Sequence, residues 1–160
     1  MRVKVLRIVR IILLAAAVIA CVAGVVKTKK AGRDVSKIDV QITAKHCYHK
    51  ENDGAWINGR YYIDYTFEIT NHTNVGWKYL QITTYVSDKN GKSLGTITTE
   101  FGSSYGASVL KLRAGETVTI DSSIADSANQ PGEFFTTLFN SDLADLVFAS
   151  EVTGGTYYDD

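Results

Sequence analysis

The sequence predicts an all-β fold, an antiparallel β-sandwich of about seven to eight strands preceded by one N-terminal transmembrane or signal helix. Three observations predict it: a base-flanked apolar run near the N-terminus, a hydrophobic period of two from residue 37 onward, and turn-forming dipeptides between the runs. The 160 residues are 45% hydrophobic and include 17 aromatics, which excludes a disordered chain, and two cysteines are too few for a disulfide framework. The formal net charge of zero hides an asymmetry. Residues 1–33 hold eight bases and no acid, leaving nine bases and all 17 acids to residues 34–160, so the two parts carry +8 and −8.

The chain divides into a basic N-terminal region, 1–10, an apolar segment, 11–26, a basic linker, 27–36, and a β domain, 37–160. The segment from Ile11 to Val26 has 16 apolar or small residues. As a helix it spans about 24 Å, slightly short of a hydrocarbon core of about 30 Å. Ile8 and Val9 close the gap if Arg10 snorkels toward the headgroups. Three readings follow: an uncleaved signal anchor, a cleaved secretory signal ending at Ala20 or Ala23, or a lipoprotein signal. In the last, Val18-Ile19-Ala20-Cys21 resembles the bacterial lipobox, which implies lipidation of Cys21. Four bases flank each side, so the positive-inside rule is tied, and the segment's place at the start of the chain favours a cytoplasmic N-terminus. The expected location is the cell membrane, single-pass with an extracytoplasmic C-terminal domain; the alternatives are a lipid-anchored or a secreted protein.

The strands are read in order from the alternation. Ile38, Val40, Ile42 and Ala44 form the first apolar face; Tyr61, Ile63, Tyr65, Phe67 and Ile69 the second; Leu80, Ile82, Thr84 and Val86 the third. Leu94 and Ile97 mark a fourth strand, Val109, Leu110 and Leu112 a fifth, and Val118 and Ile120 a sixth. Phe134 to Phe139 reads as a further strand, Ser141 to Leu146 as a single helical turn, and Val147 to Tyr157 as the last strand. Asn58-Gly59, Asn90-Gly91 and Ala114-Gly115-Glu116 supply turns. Short strands with such turns and almost no helix suggest the immunoglobulin-like type of sandwich.

A resemblance covers roughly residues 61–125. The order Phe67-Glu68-Ile69-Thr70-Asn71-His72-Thr73, then Asp88-Lys89-Asn90-Gly91-Lys92, then Leu112-Arg113-Ala114-Gly115-Glu116 resembles the FxLYD-type and telokin-like immunoglobulin-fold domains of bacterial surface proteins. Of the places that define the first family's name, Val86 and Asp88 match. The resemblance implies an extracytoplasmic domain behind a signal or lipoprotein segment, and no catalytic site.

Each cluster with chemical potential has a structural explanation beside it. In His46-Cys47-Tyr48-His49 alternate residues point to opposite faces, so at most two ligands converge where a structural zinc needs four. No metal site is expected, and Cys47 has no partner within the domain for a disulfide. Asp64 and Glu68 stand about 13 Å apart along a strand, beyond the range of about 5 to 9.5 Å that glycosidase carboxylates need. Asp88-Lys89-Asn90-Gly91 imitates the start of a calcium loop, but Thr99 stands where the bidentate glutamate belongs. Asn71-His72-Thr73 fits a glycosylation sequon. Gly102-Ser103-Ser104-Tyr105-Gly106 spells a nucleophile elbow without the strand-to-helix context, and all three histidines precede Ser104.

No catalytic residue and no cofactor is therefore expected. The candidate ligand contacts are the aromatics Trp56, Tyr62, Trp77 and Tyr79, able to stack on a sugar or anchor a protein. A domain at −8 disfavours nucleic acid. The expected function is a membrane-anchored extracytoplasmic binding module, its partner an envelope protein or a glycan and its membrane contact residues 11–26. The alternatives are a cell-wall or glycan hydrolase, with a carboxylate pair beside Trp56 or Trp77, and a structural subunit of a membrane complex.

Overall fold

The period-two runs of the sequence become six strands, seen in a computed structural model that describes residues 34–51, 54, 59–102, 110–127 and 131–157. The strands are β1 (Ile38–Lys50), β2 (Arg60–Asn71), β3 (Trp77–Asp88), β4 (Ser93–Phe101), β5 (Thr117–Ser127) and β6 (Leu146–Tyr157), with one helix, α1 (Glu133–Asn140), between the last two. They form two antiparallel sheets of three strands, β1-β2-β5 and β4-β3-β6. The apolar segment 11–26 and Cys21 lie outside the described residues. Among the described residues no helix is long and apolar enough to cross a membrane.

The two sheets share one core. From β2, Ile63, Tyr65, Phe67 and Ile69 point inward; from β3, Trp77, Leu80, Ile82 and Val86 meet them. Aromatic edges join the layers: Phe67 and Phe101 lie 5.3 Å apart at 74°, and Tyr65 and Phe148 lie 5.8 Å apart at 69°. Both are the edge-to-face geometry that ring quadrupoles favour. Trp77 fits only because residue 155 is glycine, since a Cβ there would come within 2.8 Å of the indole ring.

Three expectations are corrected. The strand count is six among the described residues, below the seven or eight expected. Leu112 makes only a bridge to Trp77, through reciprocal backbone bonds of 2.7 and 3.1 Å, at a position on β3 beyond the point where β4 ends opposite Leu80. Residues 133–140 are helical, with Phe135 and Leu138 buried at a spacing of three and Glu133 in the first turn, where the helix dipole favours an acid. Finally, β1 changes phase. A register shift between Ile42 and Ala44 leaves Ala44 exposed and sends Lys45 to the inner side, where its ammonium donates to the Ser141 carbonyl.

Candidate functional site

With the inner faces committed to the core, chemistry falls to the outer faces. On β1-β2-β5, the phase change places His46 and Tyr48 outward, opposite Asp64 and Tyr62. Tyr48 and Tyr62 stack at 5.1 Å with planes 8° apart, His46 stacks on Tyr48 at 5.6 Å, and the Arg60 guanidinium lies 5.7 Å from the Tyr62 centroid. The rings therefore spend their faces largely on one another and on Arg60. This ladder is a brace between β1 and β2 that leaves ring edges to solvent.

The outer face of β4-β3-β6 is organised differently. Residues 79, 81, 83 and 85 of β3 face outward between the buried Leu80, Ile82, Thr84 and Val86. Tyr85 is 51% exposed, and its hydroxyl donates to Glu151 Oε1 at 2.7 Å. At the other end Tyr79 is hydrogen-bonded to Glu100, which also accepts from Gln81 Nε2 at 3.3 Å. Thr83 and Thr153 share a hydroxyl contact of 3.3 Å between the two pairs. Ala149 lies opposite Tyr85, and Val147, also 51% exposed, extends the apolar patch. The result is a strip in which two aromatic rings flank hydroxyl, amide and carboxylate groups.

Both phenols are held protonated to higher pH than an ordinary tyrosine. For Tyr85 the cause is chiefly the hydrogen bond to Glu151 and then its negative charge; for Tyr79 it is chiefly partial desolvation, with Glu100 adding to it. In the core, burial pushes the Tyr65 phenol up further, and Cys47 adds to the shift.

The sequence-derived candidates separate cleanly. Trp77 is corrected: it is 1% exposed, its indole N–H donates to Thr73 Oγ1 at 3.1 Å, and it packs against Tyr157. It belongs to the core because the inward set of β3 begins with it. Tyr62 belongs to the ladder and Tyr79 to the strip, while Trp56 and Ser104 lie outside the described residues. Tyr85 is the member that sequence reasoning missed. The signal was available, since Tyr79, Gln81, Thr83 and Tyr85 occupy the positions alternate to the apolar series of the third strand.

The other motifs resolve into turns and surface. Asn71 is fully buried, its amide donating to the carbonyls of Val75 and Arg113 at 2.8 Å each, which places the sequon nitrogen in the interior. The Asp88 carboxylate accepts from the backbone N–H groups of Asn90 and Lys92 at 2.8 and 2.9 Å, closing the β3–β4 turn at Gly91, whose φ is +83°. Asp64 and Glu68 sit on the outer face of β2, paired in register with His46 and Gln41. A cleft of about 220 Å³ between α1 and the start of β2 is walled by Tyr61, Phe135 and Phe139.

No family model and no curated protein matches the chain. Among solved structures, an X-ray structure of a Northeast Structural Genomics Consortium target is similar over 78% of this chain and 80% of its own, at 11% identity and a TM-score of 0.31. A crystal structure of a protein described as ApaA, from Bordetella pertussis, is similar over 57% of this chain and 70% of its own, at 16% identity and a TM-score of 0.27. Likeness at this level assigns neither a family nor a function.

Proposed function

We propose that this chain is a membrane-attached, extracytoplasmic binding module of the bacterial cell envelope, built on an immunoglobulin-like domain and tethered through residues 11–26. The strand order supports the immunoglobulin-like reading: β1-β2-β5 facing β4-β3-β6 follows the A-B-E and C′-C-F arrangement of such domains. The basic flanks and apolar run of residues 1–33 support the tether, and the −8 charge of the remainder suits a domain that stays soluble beside it.

The observation that carries the binding reading is the strip on β4-β3-β6. Tyrosines held at the surface by carboxylates offer contact area at low cost in side-chain entropy, the combination expected of a recognition surface. Trp77, one of the two tryptophans beside which a hydrolytic cleft was expected, fills the core instead. The test is topological. Protease added to intact cells should digest the domain, whereas protection until lysis overturns the proposal. Metabolic lipid labelling that disappears in a Cys21→Ala variant would identify the tether as a lipoprotein anchor; labelling absent from both proteins would exclude that anchor.

A further inference from the structure

We propose that the outer face of β4-β3-β6 binds a linear, uncharged polysaccharide, with Tyr79 and Tyr85 as stacking rings and Gln81, Glu100 and Glu151 as hydrogen-bonding groups. The inference rests on the binding-module reading and adds to it the class of ligand.

The length of the strip selects a polymer. Six residues of strand separate the tyrosines, about 20 Å at ~3.3 Å per residue. A ligand that touches both must be extended, and the surface between them is the outer face of the sheet, carrying Gln81 and Thr83. The polar groups match a polyol. A carboxylate has about four lone-pair positions, and Glu151 uses one for Tyr85 while Glu100 serves Tyr79 and Gln81, so both keep acceptor capacity for ligand hydroxyls. The Thr83 and Thr153 hydroxyls can donate or accept between them.

Charge narrows the class. The ionisable side chains paired across this strip with its tyrosines are carboxylates, so an anionic polymer is repelled within a Debye length of about 8 Å. A cationic peptide would be attracted, and its signature is loss of binding in salt. The apolar extension of Tyr85 through Ala149 and Val147 favours the weakly polar face of a sugar ring over an ammonium group, which keeps its hydration.

The experiment is co-sedimentation of the full chain, in detergent micelles, with insoluble cellulose, chitin and starch, at low salt and at about 1 M salt, where the Debye length is about 3 Å. Retention on at least one of the three at both salt concentrations is expected. Tyr79→Ala and Tyr85→Ala should each lower the retained affinity about tenfold, the equivalent of one aromatic contact. Tyr85→Phe keeps the ring and should stay within about threefold of the parent, and unchanged thermal melting of the variants would show that the fold is intact. Three results overturn the proposal: no retention on any of the three polymers, retention unaffected by both alanine variants, or binding only at low salt that soluble polylysine displaces. If the domain is protease-accessible on cells and retention fails, the ligand class falls while the module reading stands.

Discussion

Asn71 shows how one side chain can close a structure. It is fully buried at the end of β2, and all of its amide capacity is used. Its Nδ2 group donates to Val75 and Arg113, and its Oδ1 accepts from the Thr73 backbone N–H at 2.9 Å and the Thr73 hydroxyl at 2.7 Å. That same hydroxyl then accepts from the Trp77 indole, so a tight turn, a distant loop and the largest core side chain depend on a single residue. Replacement by alanine strands the Thr73 N–H in the interior, worth about 1–3 kcal/mol, and removes one of the two donors at each carbonyl, leaving Val75 with the Thr73 hydroxyl and Arg113 with the Glu116 N–H. We expect Asn71→Ala to destabilise the domain by about 2–4 kcal/mol in urea unfolding. Asn71→Asp should be no better, because a carboxylate cannot donate to either carbonyl. A loss below about 0.5 kcal/mol for both variants would refute the account.

At the scale of elements, the β3–β4 hairpin depends on an ionised side chain. Asp88 is held below the ordinary carboxylate value, first by the Lys92 backbone N–H and also by that of Asn90. A carboxyl group depressed in the folded state contributes stability above its unfolded value of about 3.9 and loses it as pH falls through the folded value. The parent protein should therefore be more stable than Asp88→Asn at pH 5 to 7, and the gap should close as pH drops below about 4. A gap independent of pH would contradict this. The hairpin was legible in the sequence because Asn90-Gly91 specifies a turn locally, and β2 and the Leu80–Val86 part of β3 were legible because their apolar positions keep period two. Two features were not. The β1 bulge carries no compositional mark, so the inward turn of Lys45 follows from pairing with β2 and from the Ser141 carbonyl that receives it. The run Glu133–Asn140 is aromatic-rich, which suits a strand, and the core selected a helix by burying Phe135 and Leu138 on one side. Tyr85 stayed hidden for a third reason: reading strands by their inward face discards what their outward face presents.

For the whole domain, the decisive relation is that neither three-stranded sheet has a core of its own. Phe67 comes from the middle strand of one sheet and Phe101 from an edge strand of the other, and their rings meet at 5.3 Å with both residues almost fully buried. Truncating either should cost about 3–5 kcal/mol, from lost transfer energy and the cavity left behind. Because the rings touch, the double variant should cost less than the sum of the singles by about 0.5–1.5 kcal/mol, the coupling of an aromatic pair. The same geometry requires the sheets to unfold together. Trp77, buried at the junction of β3 and the Leu112 bridge, reports the core by fluorescence, and far-UV circular dichroism reports strands in both sheets. The two probes should trace one transition in the parent and in Phe67→Ala, shifted to lower urea in the variant with the slope unchanged. Separate transitions would mean that the sheets are stable apart, and the strip on β4-β3-β6 would then owe its arrangement to that sheet alone.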